Sequence, residues 1–555
     1  MLENLRHWLI GLPLPTHRLA EERLNKIRAL AAFSPDALSS IAYANQEIFL
    51  GLVVAGSAGL AFSWPIGVAI AVLLGVLALS YFQTLHAYPS GGGSYTVARE
   101  NLGSLPGLIA AAALMIDYVL TAAVSLTAGV AAIASAFPDL WPHRVEIALV
   151  LLLIILIANL RGLRETGTLM AIPVYFFLIA YLSMLAIGIV RAFSEGPGSI
   201  GPAALAATAE LTPFLILHTF AAGCTALTGI EAISNGVPAF KRPESKNAGI
   251  TLIVMACLMG VLFLGSIGLT QHFAVVAGAD ETILSALARR ILGSGILYVV
   301  VQVATLLILA VAANTSFADF PRVASILAHD GYLPHQFSQL GDRLVFSNGM
   351  VVLAGLTGVL IVVFNGDTHA LIPLFAVGVF IAFTLSQGGM VRHWLRLRGA
   401  GWQVKALING LGAGTTLITF FVVAISKFIE GAWIVAVLIP LIVFGFRAVK
   451  AHYEQVGREL TLNGLPLSLR PWLEPRVVLP ISGVHRGVLE ALRFARSLSD
   501  QVTAVYVETN PAVTEKVKRD WEKWAPDVPL TIVPSPYRSM VGPLLDFLDQ
   551  TDREY

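Results

Sequence analysis

Phe33-Ser34-Pro35-Asp36-Ala37-Leu38-Ser39-Ser40-Ile41-Ala42-Tyr43 opens the first long apolar segment of the chain and sets a carboxylate, Asp36, at its mouth. A charge at bilayer depth costs several kcal/mol, roughly 3 on insertion scales and more in simulations, so such a residue is seldom idle. Two more acids, Asp117 and Glu231, lie inside later apolar segments. Three such acids with hydroxyls at helical spacing suggest a path for a cation through a membrane.

The 555 residues are 56% hydrophobic and 13% charged, with mean hydropathy +0.75. That is too little charge for a soluble chain of this length. Apolar windows of about 20 residues recur through the first four fifths of the chain, the signature of an all-α polytopic membrane protein. Net charge is +1, so bulk charge implies no nucleic-acid partner. Cys224 and Cys257 both sit in apolar segments, which argues against a disulfide framework and against a CxxC metal or redox site. Residues 2–28 are basic and read as an amphipathic or irregular stretch, without the compact apolar core and cleavage site of a signal peptide.

Twelve spans are expected, near 36–60, 64–86, 105–136, 145–160, 170–192, 212–238, 248–272, 292–318, 346–364, 369–390, 408–426 and 431–448. With the N-terminus inside, the inner loops hold twelve Lys and Arg against five in the outer loops, and five more precede Asp36. The positive-inside rule then places both termini in the cytoplasm. The expected domains are a cytosolic segment over 1–35, a transporter body over 36–450, a linker over 451–475 and a cytosolic α/β domain over 476–555.

In that last domain 476–481 (RVVLPI), 502–507 (VTAVYV) and 530–533 (LTIV) read as strands, alternating with helices near 487–497, 514–524 and 540–548. Strand-helix alternation implies a small parallel sheet. Three strands make a thin unit, expected to lean on the membrane part or on a second copy. Truncation at Tyr555 would also explain the low strand count.

Ser39-Ser40 in the first span and Ala221–Gly229 in the sixth are read as interruptions. Breaks at corresponding places are what two inverted five-helix repeats produce, and freed carbonyls at a break bind cations. Small residues that only allow close helix packing are the plainer reading. Asp36, Ser40, Tyr43 and Glu47 share one helical face, as do Asp117, Thr121 and Ser125. Thr228 and Glu231 follow the second break. Carboxylate, hydroxyl and carbonyl oxygens are hard ligands suited to alkali or alkaline-earth cations. Each residue also has a bland role. Thr121 and Ser125 suit back-bonding to their own i−4 carbonyls, Tyr43 suits packing with a satisfied hydroxyl, and Asp36 suits a helix N-cap. Asp117 and Glu231, near mid-span, resist such a reading. Glu47 suits a vestibule or a local pair and is left out of the site. His86, His218 and His272 read as packing or interface residues.

The Pro89-Ser90-Gly91-Gly92-Gly93-Ser94-Tyr95 run after the second span resembles that of the amino acid–polyamine–organocation permeases. Within that superfamily, Ser34–Tyr43 resembles the first helix of the KimA-type potassium importers, relatives of the KUP family, and the C-terminal domain is similar to universal-stress-protein-like domains. The resemblance covers nearly the whole chain. It implies a LeuT-like 5+5 inverted repeat and potassium–proton symport. Its potassium ligands match Asp36, Tyr43, Asp117, Thr121, Ser125, Thr228 and Glu231. It also implies a homodimer joined through the cytosolic domains, a bacterial inner-membrane location and, in some members, inhibition by cyclic di-AMP. No glycine-rich phosphate loop is evident in the C-terminal domain; Ser482–Gly487 is the nearest candidate. No cofactor is expected beyond the transported potassium and protons. Glu231, just past the sixth-span break, is the expected proton carrier, with Asp36 as its rival.

Three other functions compete. An amino-acid permease of the same fold would cradle a substrate carboxylate where this chain offers Asp36, which repels one. A divalent-metal transporter of the Nramp type uses a sixth-helix methionine, and 219–235 holds none. A membrane sensor would have no need of acids in several spans. An enzyme is not expected, since the cytosolic domain shows no nucleophile–base or metal cluster.

Overall fold

The computed structural model describes residues 24–89, 91, 93–162, 167–198, 207–278, 280–341, 343–460, 475–508, 510–535 and 540–554. Ser90 and Gly92 of the glycine motif, Arg164, most of the 2–28 stretch and most of the 471–475 linker end lie outside the described residues. The chain divides into two units, Met1–Glu459 and Leu460–Tyr555.

The first unit is helical. Its elements are α1 (Lys26–Phe33), α2 (Pro35–Val53), α3 (Ser63–Ala87), α4 (Ser94–Leu102), α5 (Ser104–Ala136), α6 (Arg144–Leu160), α7 (Gly167–Glu195), α8 (Pro213–Gly223) and α9 (Ile230–Asn235). They continue as α10 (Glu244–His272), α11 (Ile283–Leu292), α12 (Ile296–His329), α13 (Ser347–Val363), α14 (Thr368–Leu397), α15 (Trp402–Ser426) and α16 (Trp433–Glu459). Among the described residues, ten helical stretches are long and apolar enough to cross a membrane, and α13 is a shorter apolar helix. In α5, 89% of the most apolar window is buried, against 17% in the stretch that ends with α6. Helix α5 is therefore the central post, and α6 turns Val150, Leu153 and Ile154 outward, as a lipid-facing helix does.

Local chemistry sets the helix starts. Pro35 occupies the first turn of α2, where its missing N–H is no loss. Thr212 caps α8 and Asp367 caps α14, each accepting backbone N–H bonds. The first interruption lies at Ser34, between α1 and α2, and not at Ser39-Ser40, through which α2 runs unbroken. The reason is local. The Ser39 and Ser40 hydroxyls donate to the carbonyls of Asp36 and Ala37, at 3.1 and 2.7 Å, whereas Pro35 cannot continue the ladder of α1. Helix α1 belongs to the packed body: Ala29, Leu30 and Ala31 are buried, and Leu24 bridges to Phe240. The sixth-span interruption falls where the sequence suggests. A 3₁₀ turn, Cys224–Leu227, leads to extended Thr228 and left-handed Gly229 before α9 begins.

The second unit is a three-stranded parallel sheet, β1 (Val477–Ile481), β2 (Val502–Glu508) and β3 (Leu530–Pro534), in sequence order. Val477 pairs with Val502 and Ala504 with Leu530. Helices α17 (Arg486–Leu498), α18 (Pro511–Trp524) and α19 (Val541–Glu554) alternate with the strands. The core gathers Ile481, Leu492, Tyr506, Val517 and Trp521, and the Trp521 indole donates to the Val528 carbonyl at 2.8 Å.

Candidate functional site

The two interruptions meet. A Cβ on Gly229 would lie 2.4 Å from the backbone nitrogen of Ala37, so only glycine, at φ +78°, lets the unwound segment approach α2 so closely. The Ser40 hydroxyl reaches the Ala226 carbonyl across this contact at 3.2 Å. One small cavity, of about 20 Å³, opens here, lined by Asp36, Asp117, Thr228, Gly229 and Glu231 together with Tyr118, Thr315 and Asp319. That volume suits a single water-sized particle.

Four of the seven predicted residues, Asp36, Asp117, Thr228 and Glu231, thus line one cavity. Tyr43 lines a second and larger one, of about 460 Å³, with Gln46, Glu47, Arg144, Asp367 and His369. Thr228 stands beside the Tyr43 hydroxyl, so Tyr43 marks the partition between the two spaces. Thr121 and Ser125 line neither cavity; both are buried on α5 beyond Asp117.

Hydrogen bonding decides against the bland roles. Asp36 Oδ1, Tyr43 Oη, Asp117 Oδ1, Thr121 Oγ1 and Ser125 Oγ are all buried and make no hydrogen bond within the described structure. Asp36 sits in the first turn of α2 and no side chain caps that helix, so it is not an N-cap. Thr121 and Ser125 do not back-bond. Buried polar atoms are nearly always paired, so five bare oxygens on two facing helices call for a ligand. Glu47 does pair locally, with His369 Nδ1 at 2.8 Å.

Glu231 is different. The Ser94 N–H donates to Oε1 at 2.8 Å, the Ser94 hydroxyl to Oε2 at 2.7 Å, and the Tyr81 hydroxyl to Oε2 at 3.5 Å. Ser94 opens α4 directly after the glycine run, so that motif delivers a helix start to Glu231. Gly93 is needed because a Cβ there would lie 2.1 Å from Asn235 Oδ1. Further along α4, Tyr95 and Arg99 both donate to the Asp330 carboxylate at the end of α12. Burial alone would raise the Asp330 carboxyl, but the Arg99 and Tyr95 hydrogen bonds outweigh it and hold the group below the usual range.

Sequence reasoning missed Asp319. It ended the eighth span at residue 318, ahead of Asp319 and Pro321, yet α12 carries Pro321 inside it and runs on to His329. The usable signal was Thr315 and Asp319 at i and i+4, the same spacing that links Asp117 to Thr121. Ser94 and Tyr81 were also missed, since partners of a buried acid from distant segments leave no local pattern.

A broken helix pair around a small acid-lined cavity defines a polytopic permease. The family model for amino acid permeases matches residues 27–446, and the chain belongs to that family. A second model, the KimA potassium transporter C-terminal domain, matches residues 474–555. Over 559 aligned positions the chain is 42% identical to the potassium transporter KimA of Bacillus subtilis (strain 168), covering 100% of this chain and 91% of that protein. It is a multi-pass membrane protein, and its likeness is to a transporter rather than an enzyme.

Proposed function

We propose that this protein takes up potassium across the bacterial cell membrane, in symport with protons. The carrying observation is the set of bare oxygens on Asp36, Tyr43, Asp117, Thr121 and Ser125 beside the contact of the two interruptions. Thr228 and Glu231 complete the proposed site. Hard oxygens of this number can replace the water of a monovalent ion, and the small cavity has room for one. The 42% identity to a protein named as a potassium transporter supports the same cargo. Four acids around the cavity would repel the carboxylate of an amino-acid substrate, which sets that reading second.

The proton needs an acceptor that is free to change state. Glu231, the carrier favoured by sequence alone, already receives three donors, which suits a standing anion. Asp36 keeps a bare oxygen and takes the proton in this reading. In architecture the reading has twelve crossings, the ten long stretches with α2 and α13, arranged as two inverted five-helix repeats with both termini cytoplasmic. Two copies associate through the C-terminal units, whose Phe494, Trp524, Val541 and Leu545 are exposed.

Proteoliposomes carrying the purified protein test this reading. Potassium uptake that rises with an inward proton gradient supports it. Uptake of an amino acid with no potassium flux would overturn it. Detergent-solubilised protein lacking residues 470–555 is expected as monomers, and a stable dimer after that deletion would place the interface in the membrane.

A further inference from the structure

The small cavity holds an acid that neither the sequence motifs nor the expected ligand set includes. Asp319 and, one turn before it, Thr315 form its α12 wall. Asp319 is only 8% exposed, deep in a membrane-spanning helix, where an acid without a task is costly.

We propose that Asp319 is a further residue of the ion site and that it shares the transported proton with Asp36. This rests on the potassium–proton reading above. The argument is one of charge. Asp36 from α2, Asp117 from α5, Glu231 from α9 and Asp319 from α12 surround a space of about 20 Å³. If all four were ionised, one potassium would offset only one of four negative charges in a medium that screens poorly. The donors from Ser94 and Tyr81 serve Glu231. The other three have no cation among the residues that line the cavity, where α5 adds only Tyr118 and α14 only Val379 and Phe383. Arg322, one turn beyond Asp319 on α12, donates to the Asn235 carbonyl. The charge of Asp319 also bears on Asp36. Two carboxylates that share a site cannot both ionise cheaply, so one proton is held between them. When a cation enters, the carboxylic O–H bond breaks, the proton passes to water on the exit side, and the freed oxygen turns to the cation.

The test compares wild type, Asp319→Asn, Asp319→Glu and Thr315→Val in proteoliposomes, reading potassium KM and the pH profile of uptake. Asp319→Asn is expected to flatten the pH profile and to raise KM about tenfold, the equivalent of losing one good contact. Asp319→Glu is expected to restore the pH dependence in part with its midpoint displaced, and Thr315→Val to raise KM alone. A merely structural Asp319 would lower the yield of folded protein and the maximal rate while leaving midpoint and KM in place; that result overturns the proposal. If Asp319→Asn does not fold, an unshifted midpoint in Asp319→Glu overturns it equally. Wild type that moves no potassium would instead bring down the functional reading, and this proposal with it.

Discussion

The two helix interruptions differ in kind although they meet in one place. At the first, the chain turns through a single residue, Ser34, which keeps near-helical angles (φ −94°, ψ −11°), and α2 restarts at once on Pro35. At the second, the helix tightens over Cys224–Leu227, extends at Thr228 and reverses hand at Gly229. Each restart carries an acid in its first turn, Asp36 in one case and Glu231 in the other. Only Glu231 is met by a third element, α4, whose first residue grips it twice. Equivalent placement therefore yields one tethered carboxylate and one with a free oxygen. The tethered group suits a fixed charge, and the free one suits exchange of a proton or an ion.

The largest effect is expected where the two interruptions touch. Gly229→Ala puts an L side chain at φ +78°, which costs roughly 1–2 kcal/mol, and drives its Cβ into the Ala37 backbone. Potassium uptake should vanish and thermal stability fall; a folded, active Gly229→Ala would mean that the contact does not shape the site. Next, the two acids should part company. Asp36→Asn should abolish proton-driven accumulation, whereas Glu231→Gln should weaken potassium affinity yet keep the pH dependence of uptake. The reverse pattern would return the proton to Glu231. Ser94→Ala probes the tether alone. Losing one hydrogen bond to a charged group costs about 1.5–3 kcal/mol, so potassium KM should rise while coupling persists, and loss of coupling would show that the tether sets the proton chemistry.

The smallest effect concerns the far end of α4. Asp330 is held below its ordinary range in the folded protein. Its stabilising contribution is thus present above the unfolded-state value and fades as pH falls through the lower folded value, below about pH 4. Arg99→Ala should remove that acid-side dependence and cost less than about 1 kcal/mol at neutral pH, since Arg99 is substantially exposed. Unchanged acid unfolding in Arg99→Ala would show that the pair does not anchor α4.

Apolar windows revealed the long helices, and strand-helix alternation revealed the parallel sheet, because both follow from local periodicity. The acids at Asp36, Asp117 and Glu231 were legible because charge in an apolar run is conspicuous. Ser39-Ser40 misled, since a hydroxyl that bonds its own helix interrupts nothing, while the real hinge was marked by Pro35 one turn earlier. Asp319 was hidden by its neighbour Pro321, which reads as a helix end although the packed body carries the helix through. What Ser94 does for Glu231 depends on two segments 137 residues apart in sequence, which no local pattern records.

The central claim is that potassium and a proton move together through Asp36. Proteoliposomes at clamped voltage, loaded with a pH dye and given an inward potassium gradient, test it directly. Wild type should acidify its interior as potassium enters, and Asp36→Asn should not. Potassium entry into wild-type vesicles with no change in internal pH would contradict the account.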